Sequence, residues 1–377
     1  MGDHRRIVRE ILSLARVPGI GPARLRALLE HFKDSGAVLR AAVRDLVCVP
    51  GIEHKTAQAI AGFFRNGVPE ETAAFVDDQI ARMETLGAAF VHILDPHYPP
   101  HLQTIYDPPP FLFMLGSIEP QDAAGIAIVG TRDPTAYGKR TAEAFASGLA
   151  ARGVTVVSGL ARGIDTIAHA AALQAGGRTI AVIGSGLDVL YPAENAPLAR
   201  RLMAQGAVLS EFAMGAKPDA VNFPQRNRTV SGMTLGTLVI ETRVDGGAMI
   251  TARCALDQNR EVFAIPSPVS GVQRSGTNLL LREGRALLTE TVDDIIAELA
   301  PKLSGFISDV APPPGSPIPP LSLFEQHVLD VLTADPLHID AIAERTSLTA
   351  ADALVRLLGL ECKSVVRQLP GKYFVRM

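Results

Sequence analysis

From about residue 124 onward, short uninterrupted apolar runs alternate with segments of helical period, and no other feature of the sequence restricts the fold so tightly. The runs are Gly125 to Val129, Val154 to Val157, Thr179 to Ile183, Ala207 to Leu209, Thr237 to Ile240, Val262 to Ile265 and Ala286 to Leu288. Between them lie helical segments: Gly138 to Arg152, Thr166 to Ala175, Asn195 to Gln205 and Thr251 to Asn259. In the first of these, Ala142, Phe145 and Leu149 share one face. A strand that is apolar on both faces must be covered on both faces. The pattern therefore predicts a doubly wound, largely parallel α/β sheet.

The flanks read differently. Val17-Pro18-Gly19-Ile20-Gly21 recurs as Val49-Pro50-Gly51-Ile52-Glu53, each copy between apolar helical stretches, with Ala23 to His31 following the first and Thr56 to Phe64 the second. Pro and Gly end one helix and the next begins within a few residues, which gives two helix-turn-helix hairpins over residues 1–68. Ala89 to Leu94 reads as a strand, and the proline-rich stretch from Tyr98 to Pro110 is expected not to be a helix. Ala311 to Pro320 closes a proline-rich linker placed at 301–320. Beyond it, residues 321–377 read as three helices (Leu323 to Leu332, Ile339 to Arg345, Ala350 to Leu358) and a hairpin through Pro370-Gly371, the layout of a winged helix. Its expected apolar stripe is Val328, Leu332, Ile342, Leu354 and Leu358, and Thr349 is the expected N-cap. The regular α/β core is assigned to 69–300.

At 377 residues the chain exceeds one ordinary core. A formal net charge of −3 means that nucleic-acid binding would need a local arginine or lysine cluster. Cys48, Cys254 and Cys362 are scattered and form no C-x-x-C pair, so neither a disulfide framework nor a zinc site is expected. The first residues lack the apolar core of a signal peptide, Arg6 breaks the myristoylation pattern, and no run approaches the roughly 20 apolar residues of a membrane span. The expectation is a cytoplasmic protein without metal or cofactor and without membrane contact.

Open α/β sheets bind ligands at the carboxyl ends of their strands. Here the first strand ends in Gly130-Thr131-Arg132. The second ends in Ser158-Gly159-Leu160-Ala161-Arg162-Gly163-Ile164-Asp165, and the third in Gly184-Ser185-Gly186-Leu187-Asp188. Glycine lets backbone amides approach an anion, each following helix offers its positive end, and Arg132 and Arg162 add charges that fork onto phosphate. An ordinary tight turn accounts for one such loop; three in one sheet, two with arginine, favour an anion site. Asn222-Phe223-Pro224-Gln225-Arg226-Asn227-Arg228 combines two arginines and two asparagines with a ring able to stack on an unpaired base, or else forms a salt-bridged surface turn. Gly19 and Gly21 could offer amides to one backbone phosphate, whereas Glu53 replaces the second glycine in the other copy. The dinucleotide fingerprint, the Walker sequence and the G-x-S-x-G elbow are absent.

Read together, these residues resemble the DprA/Smf family of DNA-processing proteins. The resemblance runs from Tyr98 to about Gly284 and rests on ordered stretches. They are Tyr98-Pro99 with Asp107-Pro108-Pro109, Val129-Gly-Thr-Arg132 with Tyr137-Gly138, and Ser158 to Asp165. Gly186-Leu-Asp188 with Tyr191-Pro192 and Asn195, Phe223 to Arg228, and Gly276-Thr-Asn278 complete the series. Ser267 stands where the family has glycine, and Gly246-Gly247-Ala248 stands in a loop that usually contains serine. The resemblance implies a Rossmann-like core that binds single-stranded DNA, forms a homodimer through that core, and helps load the recombinase RecA in natural transformation, without being an enzyme. It makes Arg132 and Arg162 phosphate ligands beside Gly130 and Thr131, and Ser158, Gly159 and Gly163 backbone donors. Arg226, Asn227 and Arg228 extend the pocket formed with Asn222 and Phe223. Two other readings compete: a nucleotide hydrolase of phosphoribohydrolase type with Glu241 as general base, and an adaptor whose winged helix binds protein.

Overall fold

The structure is a computed structural model, and it describes residues 2–65, 67–268, 275–303, 322–332, 337–346, 348–363, 365–369 and 371–376. The expected linker lies outside them from residue 304 onward, as does Pro370 of the expected hairpin turn. The chain divides into two units, Met1–Ser308 and Asp309–Met377.

In the first unit, the repeated Val-Pro-Gly-Ile segments behave as repeats. Gly19 and Gly51 both take the left-handed backbone (φ of 85° and 80°) that only glycine adopts at little cost. Val17, Ile20, Val49 and Ile52 are all buried. The helices are α1 (Gly2–Ala15), α2 (Pro22–Phe32), α3 (Ser35–Arg40), α4 (Val43–Leu46), α5 (His54–Phe64) and the long α6 (Glu70–Leu86). Arg24, on α2, ties the two hairpins together: Nη1 donates to the Gly19 carbonyl at 2.7 Å and Nε to the Gly51 carbonyl at 3.0 Å.

Among the described residues, nine strands then build one sheet. They are β1 (Ala89–His92), β2 (Phe111–Gly116), β3 (Gly125–Val129), β4 (Thr155–Ser158), β5 (Thr179–Val182), β6 (Gly206–Ser210), β7 (Gly236–Val239), β8 (Glu261–Ala264) and β9 (Leu287–Leu288), in the order β1-β2-β6-β5-β4-β3-β7-β8-β9. From β6 to β9 all neighbours are parallel, whereas β1/β2 and β2/β6 are antiparallel. Every residue of β3 to β7 is buried, as a sheet covered on both faces requires. The helices are α7 (Pro100–Gln103), α8 (Ala136–Ala151), α9 (Ile164–Gln174), α10 (Ala196–Ala204), α11 (Asn222–Gly232), α12 (Gly247–Asp257), α13 (Gly276–Arg282) and α14 (Val292–Leu303).

Two local expectations fail here. β2 occupies a segment that the sequence reading leaves without a strand, because it follows three prolines and is antiparallel, with no helical crossover to announce it. The Tyr98–Pro110 stretch does contain one helical turn, α7, since Pro100 sits at a first-turn position where its missing N–H costs nothing.

The second unit holds α15 (Leu323–Val331), α16 (Ile339–Thr346) and α17 (Ala350–Cys362). Its antiparallel sheet contains β10 (Leu337–His338), β12 (Tyr373–Arg376) and β11 (Val366–Leu369), in that order. Thr349 caps α17 by accepting the Asp352 amide at 3.1 Å. Val328, Leu332 and Ile342 are buried as expected, but Leu354 and Leu358 are not: they are 43% and 60% exposed. The helix is rotated by one position from the expected phase, so Ala353, Leu357 and Leu360 enter the core instead. Leu357→Ala should therefore destabilise this unit by about 2–5 kcal/mol. Leu358→Ala should cost under about 0.5 kcal/mol. Hydrogen exchange at the Ile342 and Leu360 amides of the full chain measures both, and equal effects would refute the observed phase.

Candidate functional site

β3 leads to β4 on one side of the sheet, and its other neighbour, β7, leads to β8 on the opposite side, so the carboxyl ends of β3 and β7 flank the point where the winding reverses. A cleft of about 310 Å³ opens there. Its walls are Gly130, Thr131 and Arg132 after β3, Thr242, Arg243, Gly246, Gly247 and Thr251 around the start of α12, and Phe223, Arg226 and Asn227 of α11. It narrows into a recess bounded by Arg132, Gly159, Arg162, Gly184, Ser185, Tyr191, Pro218, Phe223 and Arg226.

Asn222 to Arg228 is not a surface turn but the first two turns of α11, and helical phase sorts its side chains. Phe223, Arg226 and Asn227 line the cleft. Arg228 borders neither the cleft nor the recess. It is clamped between Glu211, at 2.6 Å, and the carboxylate and carbonyl of Asp107, so it anchors the proline-rich loop to α11. Asn222 spends its amide on the Gly184 carbonyl at 3.0 Å. Phe223 is the hub of the recess. The Arg132 guanidinium lies 5.3 Å from its ring centre, that of Arg226 5.9 Å, and the Tyr191 ring 6.5 Å.

The floor is a buried ion pair. Asp165 accepts the amides of Gly159 (3.2 Å) and Ala161 (3.3 Å), and its carboxylate lies 4.0 Å from Arg226 Nη1. Burial pushes the Asp165 carboxyl up, opposed by Arg226 and the two amides; burial pushes Arg226 down, opposed by Asp165. Gly159 has to be glycine, since a Cβ there would stand 1.3 Å from Arg226 Nη1. Ser158 is fully buried with its hydroxyl donating to the Ile128 carbonyl at 2.6 Å, and Gly163 packs against the Thr131 carbonyl.

These contacts correct the expected source of anion affinity. The Gly159 amide is taken by Asp165, and the Gly186 amide donates to the Ala216 carbonyl at 2.9 Å. At the start of α8, Glu241 accepts from the Thr135 amide (3.1 Å) and hydroxyl (3.0 Å), so that helix end already has its anion. The positive potential of the cleft rests instead on arginine. Arg132 makes no salt bridge among the described residues, whereas the exposed Arg162 is forked onto Glu194 at 2.7 and 2.9 Å. Arg243, Thr242, Thr251 and Pro218 join the site although sequence reasoning passed over them, and Tyr191, quoted there only for the resemblance, joins it too. Arg243 lies a few residues beyond the end of β7 and precedes Gly246-Gly247, a signal of the same kind as the one that singled out Arg132 beyond β3. Gly19 and Gly21 are not among the cleft residues; Gly21 precedes α2 with no side-chain cap. Among the described residues, Asp165 is the sole carboxylate lining the cleft and recess. Among the described residues no group of three His, Cys, Asp or Glu could hold a metal, and no helix is long and apolar enough to cross a membrane.

Comparison with known proteins gives concordant matches. Residues 89–300 match the family described as DNA recombination-mediator protein A, 312–372 the DprA winged helix domain, and 11–65 the SAM-like helix-hairpin-helix tandem. The chain is 40% identical to protein Smf of Escherichia coli over 286 residues, which is 73% of this chain and 74% of that protein. It is similar to the X-ray structure of DNA processing protein A from Streptococcus pneumoniae, with a TM-score of 0.64 at 33% identity, covering 77% of this chain and 97% of that one. A structure of the Helicobacter pylori DNA processing protein A, reported for its single-stranded DNA binding mode, matches with a TM-score of 0.52 at 29% identity, covering 57% of this chain and 96% of that one.

Beneath the floor, His169 is fully buried. Its Nδ1 lies 2.7 Å from the Thr179 hydroxyl, which itself donates to the Val156 carbonyl, so Nδ1 is the donor in that pair. Burial pushes its pKa from 6.5 down to about 3. The unfolded chain therefore takes up a proton that the folded chain refuses, and this stabilising contribution is complete above pH 6.5 and is lost as pH falls towards 3. Urea unfolding between pH 7 and 4 should show a loss of up to about 1.4 kcal/mol per pH unit from this residue. His169→Gln should remove that component of the slope, and an unchanged slope would rule the assignment out.

Proposed function

The chain belongs to the DprA/Smf family of DNA recombination mediators, and on that footing we propose that it binds single-stranded DNA across the cleft at the switch point and passes the strand to RecA. The observation that carries this reading is the gathering of Arg132, Arg162, Arg226 and Arg243 along one cleft and its recess, two of them beside the Phe223 ring, where the one lining carboxylate among the described residues is buried and paired. Arginine supplies charge to successive phosphates, and Phe223 offers a face worth about 1–3 kcal/mol to a stacked base. Arg132 lies against that ring, so a base stacked on the same face would take its place. A narrow recess behind a wider cleft suits a flexible strand with splayed bases better than a stiff duplex. The Helicobacter pylori relative, reported to bind single-stranded DNA, supports the same assignment.

We read the protein as a binding protein in transformation and recombination rather than an enzyme. Glu241, the one carboxylate the hydrolase reading needs, is engaged at the start of α8. Dimerisation through the sheet is supported by its edge at β9, where Leu287 and Leu288 are both exposed. The third helix of the winged unit presents Leu354, Val355 and Leu358 to solvent, an apolar rather than basic face, so its direct contribution to DNA affinity should be small.

Two measurements test this reading. Arg132→Ala combined with Arg162→Ala should weaken binding to all single-stranded sequences alike. It should also flatten the slope of log K against log salt by about 1.4, or about 0.7 per phosphate contact. Circular dichroism serves as the folding control, and unchanged affinity and slope in a folded double variant would remove these residues from the site. Separately, incubation with nucleoside monophosphates should release no base, and turnover abolished by Glu241→Gln would establish the hydrolase instead.

A further inference from the structure

The helix that leaves the N-terminal hairpins is tied to the wall of the recess. Gln79, on α6, is buried and pairs with both backbone groups of Met214, 135 residues away: Nε2 donates to the carbonyl at 3.3 Å and Oε1 accepts the amide at 2.7 Å. One turn further on, Arg82 Nη1 donates to Asp188 Oδ2 at 3.0 Å, and Asp188 Oδ1 accepts the Gly215 amide at 2.7 Å. The Gly186 amide donates to the Ala216 carbonyl at 2.9 Å, and a Cβ at Gly186 would stand 2.6 Å from the Ala213 carbonyl. The loops around residues 184–188 and 213–216 are thus laced together and fastened to α6. Each continues directly into the recess, the first through Gly184 and Ser185 and the second through Pro218.

An exposed ion pair alone would be ordinary packing. A buried glutamine that saturates the N–H and C=O of one residue is a different case, because no apolar side chain can replace it without leaving both groups unpaired. Neither Gln79 nor Arg82 lines the recess. We propose that they are positioning residues: α6 sets the spacing between the Gly184–Ser185–Pro218 wall and Phe223, and so governs how well the recess takes an unpaired base that α6 never touches. This rests on the single-stranded DNA reading above.

The test uses the full chain with Gln79→Ala, Arg82→Ala, Arg82→Lys and Phe223→Ala, each binding oligothymidylate and an abasic oligonucleotide of equal length over a salt series. Gln79→Ala and Arg82→Ala should weaken oligothymidylate binding roughly three- to tenfold. Abasic binding and the salt slope, which report phosphate contacts, should not change. Arg82→Lys, which keeps a charge opposite Asp188, should recover most of the loss. Arg82 is half-exposed, so its variants remain informative if Gln79→Ala folds poorly; melting temperatures check this. Equal losses on both oligonucleotides, or no loss on either in folded variants, overturn the proposal if Phe223→Ala still impairs oligothymidylate selectively. If Phe223→Ala shows no such selectivity, the base-stacking reading fails and the proposal falls with it.

Discussion

An ionised carboxylate cannot lie buried without donors around it, and the placement of Asp165 organises the ligand-facing end of the sheet. Its oxygens draw the loop after β4 inward through the Gly159 and Ala161 amides, and its charge holds Arg226 where a side chain at position 159 would otherwise be. With Arg226 fixed, α11 presents Phe223 to the recess, and Arg132 settles over that ring. Magnitudes separate the arginines into two kinds. Removing a partner from a buried pair typically costs about 3–5 kcal/mol, so Arg226 is part of the framework. An exposed pair such as Arg162–Glu194 is worth at most about 1 kcal/mol, so a phosphate can compete with Glu194 for that fork.

The architecture was legible because the apolar runs and helical segments that carry it have distinct periods, and because burial on both faces leaves no polar alternation in β3 to β7. The cleft was legible because strand order puts the loop ends where ligands bind, whatever the loops contain. What escaped reading depends on phase and on competition for hydrogen bonds. Arg228 looks identical to Arg226 in a list of residues; two positions of helical rotation send one to the cleft and the other to Glu211 and Asp107. Leu354 and Leu358 fall to the same ambiguity, since Ala353 and Leu357 carry an equally regular stripe. The glycine-turn amides were credited to a ligand because nothing in the sequence announces that Asp165 and Ala216 would claim them first.

Charge and shape are therefore divided between different parts of the site. The arginines supply a potential that the overall composition, at a net charge of −3, does not. The recess takes its dimensions from backbone contacts: loop laced to loop, and both to α6. A site built this way can vary its charges on the rim while its width stays constant.

One apolar cluster runs from Val8 in α1 through β1, β2, β5 and β6 to Leu280 in α13. The helical hairpins, distinct as a motif, share this cluster with the sheet, so opening them would expose part of the sheet's own core. The amides of their buried helices therefore draw part of their protection from the packing of the sheet and not from the hairpins alone.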